Sequence, residues 1–257
     1  MTPEPSASLR VALGEYDTGW HDPSTSLARA ATVVRDAARS GAGLVVLPEM
    51  CTTGFTMDAA QTERLDGESV RGLSGIAREA QVMVLAGVAA REGTGTEERA
   101  VNTALLFDAH GDRQAVYRKQ RVFTYAGEDM VYTPGRESSV VSVGGVRIAL
   151  FVCYDLRFPE LFRAVARDVD AMIVIANWPA ARRPHWDLLT RARAIENQCY
   201  VVAVNRVGTG GGLVYDGGSV AYDPWGERLM PDAGIVTIET ERVRRVRAEY
   251  PFLRDMA

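Results

Sequence analysis

Three strand-like runs in this chain each end on a side chain that could do chemistry. Leu44-Val45-Val46-Leu47-Pro48-Glu49 ends in a carboxylate and Tyr117-Arg118-Lys119 in an ammonium group. Phe151-Val152-Cys153 ends in a thiol, where the apolar run meets the polar turn Tyr154-Asp155-Leu156-Arg157. A free thiol, with a pKa near ~8.5, is only a few per cent thiolate at neutral pH, so a nucleophilic cysteine needs a base or a nearby cation. Histidine is the usual base. Of His21, His110 and His185, only His185, in Arg183-Pro184-His185-Trp186, lies in a suitable region, and no cysteine-protease signature surrounds Cys153. A glutamate at a strand end does the same job when partial burial raises its pKa towards that of the thiol, and Glu49 has that placement. Taken singly, each residue also has a plainer reading: Glu49 as a solvated residue after a strand, Lys119 as part of an exposed charged turn with Arg118 and Arg121, Cys153 as a buried structural thiol. Taken together, three strand ends could bring base, cation and nucleophile to one point.

The elements that must position these groups follow from hydrophobic period and turn residues. Residues 8–16 alternate as an opening strand, 24–40 carry alanine-rich helical spacing from a Ser24 cap, and 43–48 form a buried strand, a β-α-β start. A helix over 69–80 and a strand over 82–90 follow, then a Gly/Thr/Glu-rich loop at 91–98. Strands over 101–107 and 113–118 flank Asp108-Ala109-His110-Gly111-Asp112, and strands over 139–143 and 146–152 flank Gly144-Gly145, a tight-hairpin signal. After Cys153 the spacing predicts a helix over 159–168, a strand over 171–176, a helix over 184–198, a strand over 199–206, and a hairpin around Asp223-Pro224-Trp225-Gly226. Helix-covered βαβ units at both ends with hairpins between them predict an α/β fold: two mixed sheets face to face with helices outside, a four-layer α-β-β-α sandwich. No linker or repeat divides the chain, so residues 1–257 read as a single domain with its core over about 8–240. The Gly208-Thr209-Gly210-Gly211-Gly212 run lacks the Lys-Ser/Thr of a phosphate loop and predicts a flexible loop.

Composition narrows the function classes. With 47% hydrophobic and 24% charged residues, the 257-residue chain falls outside the disordered and fibrous classes. A net charge of -4 argues against a nucleic-acid partner, and Arg242-Val243-Arg244-Arg245-Val246-Arg247 reads as a solvated helix face. No apolar segment approaches the ~18 residues that span a bilayer, and the polar start Met1-Thr2-Pro3-Glu4-Pro5-Ser6 has no signal-peptide core. A cytoplasmic protein without a membrane partner is expected. Three widely spaced cysteines (Cys51, Cys153, Cys199) form no disulfide framework and fit a reducing compartment. The histidines show no metal-ligand spacing, so neither a metal nor a cofactor is expected.

The chain resembles the nitrilase superfamily of carbon-nitrogen hydrolases, whose Glu-Lys-Cys triad occupies these three contexts. Pro48-Glu49-Met50-Cys51-Thr52-Thr53-Gly54-Phe55, Tyr125-Ala126-Gly127-Glu128, Cys153 to Glu160, Asn177-Trp178-Pro179-Ala180, and Ala192 to Tyr200 with Asn205-Arg206-Val207-Gly208 look like its omega-amidase branch. The resemblance implies a thiol-dependent amidase that cleaves the terminal amide of a small carboxylated substrate, such as 2-oxoglutaramate or 2-oxosuccinamate, through a cysteine thioester. It implies Glu49 as base and acid, Cys153 as nucleophile, and Lys119 with the backbone N-H of Tyr154 as oxyanion donors. Glu128 would hold Lys119 and substrate in place. A carboxylated substrate also needs a cation in the pocket, for which Arg157 is the first candidate and Arg182 or Arg183 the second. Trp178 and Phe55 would form an apolar wall. The family further implies a homodimer formed through the helical face and the C-terminal segment, residues 241–257. Two departures stand out: Arg121-Val122-Phe123 where relatives often have His-Leu-Phe, which puts a cation near the expected pocket rim, and Cys51 in place of an aromatic residue, read as a packing substitution. Cys199, in an apolar strand, reads as inert. Two alternatives stay open: the same triad acting on an N-carbamoyl amino acid, a nitrile or an aliphatic amide, and a catalytically silent binding or scaffold protein.

Overall fold

The computed structural model describes residues 6–256. In chain order its elements are β1 (Ser8–Leu13), α1 (Pro23–Arg39), β2 (Leu44–Val46), β3 (Glu63–Arg64), α2 (Glu68–Ala80), β4 (Met83–Glu92), β5 (Arg99–Phe107) and β6 (Arg113–Arg118). There follow β7 (Val140–Val143), β8 (Val146–Val152), α3 (Pro159–Arg163), β9 (Ala171–Ile175), α4 (Arg183–Asn197), β10 (Tyr200–Val204), β11 (Val207–Gly210), β12 (Leu213–Asp216), β13 (Val220–Tyr222), β14 (Ile235–Glu239) and α5 (Thr240–Glu249). One sheet runs β14-β1-β2-β4-β5-β6 with β3 beside β4, the second runs β13-β10-β9-β8-β7, and β11 and β12 form a separate ribbon. Both large sheets are mixed: β1, β2 and β4 are parallel, as are β8, β9 and β10, while β5, β6, β7, β13 and β14 pair antiparallel.

The two-residue period of a strand sorts the core into layers. Leu44 and Val46 of β2 join Leu106, Tyr117, Ile148 and Leu150 between the sheets, whereas Val45 and Leu47 pack with Ala30, Val34, Leu73 and Ala77 of α1 and α2 on the outside. Helix α4 covers the second sheet, burying Trp186, Thr190 and Ala194. The architecture is therefore the expected four-layer α-β-β-α sandwich.

Several elements differ from their sequence expectations. The strand placed at 82–90 continues to Glu92, because Glu92 pairs with Arg99 and shortens the loop expected at 91–98. The helix placed at 159–168 stops at Arg163 and continues as tighter turns, with Val165 and Ala166 donating to Phe162 and Arg163. Arg247, reaching over from α5, takes the carbonyls of Ala166 (2.9 Å), Val169 (2.8 Å) and Gln198 (3.0 Å). The arginine cluster is thus not a wholly solvated face: Arg247 caps carbonyls, and Arg242 binds the Asp223 carboxylate at 2.6 Å. The glycine run at 208–212 is not a flexible loop but the β11–β12 hairpin, whose turn uses the positive φ of Gly211 and Gly212.

One close approach links this fold to the chemistry. A Cβ on Gly87, in β4, would lie 2.5 Å from Glu49 Cα and 2.6 Å from the Met50 nitrogen, so only glycine lets the segment after β2 lie against β4. Gly87→Ala is expected to cost about 1–3 kcal/mol and to lower turnover by displacing Glu49, measurable by urea unfolding together with an activity assay.

Candidate active site

Glu49 follows β2, Lys119 follows β6, and Cys153 opens a short 3-10 turn (Cys153–Arg157) after β8. The Lys119 ammonium lies 3.0 Å from Glu49 Oε1 and 2.9 Å from Glu128 Oε2, and all three side chains have no solvent exposure. Asn102, on β5, gives one N-H to each carboxylate: its Nδ2 lies 2.7 Å from Glu49 Oε1 and 2.8 Å from Glu128 Oε1. The second Glu49 oxygen accepts from the backbone N-H of Asn177 at 2.9 Å. Glu128 also accepts from the Phe123 N-H, which fixes the turn that carries it. Burial works against the Lys119 ammonium, but the adjacent Glu128 and Glu49 outweigh it, so its pKa is raised. The structure therefore brings Glu49, Lys119, Glu128 and Cys153 into one cluster.

Cys153 is buried, with a φ of +47°, in the left-handed region that a side chain adopts only when its surroundings impose it. Asp155 helps impose it. Its fully buried carboxylate accepts from Val152 N at 3.0 Å, Tyr117 Oη at 2.8 Å and Arg121 N at 2.8 Å. One carboxylate thus ties the turn that carries Cys153 to both sides of Lys119. Burial pushes the Cys153 thiol well above its usual pKa, and Glu49 adds to this while Lys119 opposes it. Such a thiol keeps its proton until a base removes it. Tyr154 is the second residue of the turn, where backbone N-H groups have no partner within it and can meet an oxyanion.

A cavity of about 390 Å³ opens onto Cys153 and Lys119. Its walls include Phe55, Tyr154 and Trp178, as expected, and both Arg157 and Arg182. Arg157 stacks 4.9 Å from the Trp178 ring and lies 3.1 Å from His185 Nδ1, and Arg182 stacks 5.1 Å from Phe123. Neither forms an ion pair with a carboxylate among the described residues. Arg183 is excluded as the pocket cation, because Asp187 (3.0 Å) and Asp216 (3.3 Å) already hold it. Arg121 does not line the cavity, contrary to expectation: its side chain turns to Glu160 at 3.4 Å and stacks on Phe158. Cys51 and Cys199 are wholly buried, which pushes their thiols up to about 12. Among the described residues no group of three or more His, Cys, Asp or Glu could hold a metal ion.

The sequence assigns no role to Asn102, Asp155, Asn177 or Tyr215, although Asp155 and Asn177 fall in the motifs quoted above. Asn102 carried a signal, as an amide between Val101 and an apolar strand, and Asp155 lies two residues from the thiol. Tyr215 carries none, since it lies beyond the 208–212 run expected as a flexible loop and reaches the cavity only through the β11–β12 hairpin.

The carbon-nitrogen hydrolase family model matches residues 10–247. The chain belongs to that family. This carbon-nitrogen hydrolase is 38% identical to an omega-amidase of Escherichia coli strain K12 over 211 residues, 82% of this chain and 78% of that one. It is 32% identical to a 2-oxoglutaramate amidase of Bacillus subtilis strain 168 over 253 residues, 94% and 95% of the two chains. A crystal structure of a CN-hydrolase superfamily protein from Xanthomonas campestris, with an arsenic adduct in its active site, superposes with a TM-score of 0.88 at 34% identity over 97% of both chains. No described helix of the hydrolase is long and apolar enough to cross a membrane.

The Asp155 strap carries a pH dependence. Burial pushes this carboxyl up to about 6 although Val152 N-H, Tyr117 O-H and Arg121 N-H all favour its charged form. Above that pH the carboxylate accepts all three bonds; below it, one oxygen carries a proton and the strap loosens. Turnover is expected to fall as pH drops through about 6. A kcat–pH profile of Asp155→Asn checks this: an acid limb unchanged in the variant would assign that limb to another group.

Proposed function

We propose that this carbon-nitrogen hydrolase cleaves the terminal amide of a small 2-oxo dicarboxylate monoamide, of the 2-oxoglutaramate or 2-oxosuccinamate kind. The observation that carries the reading is the enclosed Glu49–Lys119–Glu128 cluster beside Cys153, in a cavity whose arginines Arg157 and Arg182 have no carboxylate partner among the described residues. A molecule with an amide at one end and a carboxylate at the other matches both ends of that cavity. The names of the Escherichia coli and Bacillus subtilis relatives support the same substrate class.

In the mechanism that follows from this geometry, Glu49 takes the Cys153 proton as sulfur attacks the amide carbon. The carbonyl oxygen becomes an oxyanion held by the Lys119 ammonium and the Tyr154 N-H. Collapse breaks the C-N bond, Glu49 passes its proton to nitrogen, and ammonia leaves a thioester on Cys153. Glu49 then takes a proton from water, whose oxygen adds to the thioester, and the carboxylate product departs as the thiol is restored. Glu128 holds Lys119 between the two carboxylates. Phe55 and Trp178 enclose the carbon chain, and Arg157, seated on Trp178, meets the far carboxylate with Arg182.

We place the protein in the cytoplasm as a single domain that pairs into a homodimer. Leu188 and Ile195 of α4, like Trp225 and Phe252 further along the chain, are exposed apolar side chains that support a partner copy. Light scattering should give about twice the 28.0 kDa of one chain; a monomer mass would overturn this.

Ammonia release from a panel of 2-oxo acid amides, aliphatic amides, nitriles and N-carbamoyl amino acids tests the assignment, with the 2-oxo acid amides expected fastest. Cys153→Ala and Glu49→Gln are each expected to lower kcat at least ~10²-fold. Full activity in Cys153→Ala would rule out the thioester route.

A further inference from the structure

We propose that Tyr215 determines specificity: its hydroxyl donates a hydrogen bond to the oxygen on carbon 2 of a 2-oxo acid amide whose carboxylate meets Arg157 and Arg182. This rests on the amidase reading above and names the group that selects the 2-oxo function.

Tyr215 lies on β12 and is only 3% exposed, yet it lines the same cavity as Cys153 and Arg182. Its hydroxyl makes no hydrogen bond to any described residue and is not sealed inside the protein, so it opens to the cavity. A phenol so nearly buried normally finds a partner for its hydroxyl; here that partner can only come from what the cavity holds. The ring cannot swing away. The Arg206 guanidinium carbon lies 4.6 Å from its centroid, and Arg206 is itself pinned by Asp17 Oδ1 (3.0 Å) and the carbonyls of Thr18 (2.7 Å) and Thr209 (3.0 Å).

Position and charge then choose the ligand atom. Tyr215 lines the same cavity as Cys153, Arg157 and Arg182, so it borders the space that a ligand running from the thiol to these arginines would cross. The Ala180–Arg182 turn packs against β12, and its Arg182 carbonyl accepts from Trp178 Nε1 at 2.8 Å, so Arg182 stands beside the Trp178 on which Arg157 stacks. In a substrate stretched from Cys153 to these arginines, the carbon next to the carboxylate, carbon 2, passes Tyr215. Burial keeps the phenol protonated, with its pKa up to about 12, so at neutral pH it is a donor. A carbonyl oxygen accepts that bond. An ammonium at the same carbon would face a donor and two cations, so the site disfavours 2-amino acid amides, and a methylene leaves the hydroxyl unpaired.

The test compares 2-oxoglutaramate with glutaramate, the same chain with a methylene at carbon 2. Tyr215→Phe keeps the ring over Arg206 and removes only the hydroxyl. The ratio of kcat/KM for the two amides is expected to fall roughly tenfold, and the preference for 2-oxoglutarate over glutarate as competitive inhibitor should fall with it. An unchanged ratio, or an equal loss on both amides, would overturn the proposal. If the variant cannot be obtained folded, the wild-type inhibition constants decide: 2-oxoglutarate binding no tighter than glutarate would overturn it. Wild-type enzyme that hydrolysed neither amide would sink the amidase reading and this one with it.

Discussion

An ammonium group sealed away from water must have its charge answered within hydrogen-bond distance, and Lys119 is answered by two carboxylates. Removing one member of a buried ion pair typically costs about 3–5 kcal/mol, because the remaining charge is left uncompensated. Glu49, Lys119 and Glu128 therefore enter the interior as a set. Two carboxylates around one cation leave a net negative charge, and Asn102 spreads it by giving one N-H to each. That charge disfavours a thiolate at Cys153, and the Lys119 ammonium opposes the effect.

The sandwich divides this work between its sheets. The first carries the charged cluster, with Glu49 after β2, Asn102 on β5 and Lys119 after β6; the second carries Cys153 after β8 and Asn177 after β9. Two straps hold the halves in register. Asn177 N-H binds Glu49 Oε2, and Asp155 beside the thiol binds Tyr117 and the Arg121 N-H on either side of Lys119. The left-handed backbone of Cys153 is maintained by that second strap and by the packing of the turn. The Ala180–Arg182 turn and the β11–β12 hairpin lie outside both sheets, and Gly210 and Gly211 of the hairpin lie so close to Trp20 that a Cβ there would approach its ring to 2.9 Å.

Hydrophobic period exposed the layers directly, because burial on one strand face or one helix stripe leaves its mark in neighbouring residues. The alternation Leu44-Val45-Val46-Leu47 already sorted side chains to the two faces of β2, and the doublet Gly144-Gly145 marked a real turn. Where long-range contacts overrode local pattern, the reading failed. The chain after Arg163 leaves the helix where Arg247, some eighty residues on, binds its carbonyls, and of the run at 208–212 Gly208 and Gly210 pair in a strand and Gly211-Gly212 make its turn, against Trp20, instead of staying a loop.

By itself the sequence determined which kinds of group could react, since thiol, ammonium and carboxylate each stood at a strand end and similar motifs surrounded them. Only the tertiary structure decided what those groups are to one another. Lys119 and Glu49, seventy positions apart, meet at 3.0 Å and are both fully buried; Arg183 is consumed by Asp187 and Asp216 while Arg157 and Arg182 line the cavity with no carboxylate partner among the described residues; Tyr215 reaches the cavity through a hairpin. Proton affinity and ion pairing depend on separations of a few ångströms and on the local exclusion of solvent. Both are set by the packing of segments distant in sequence.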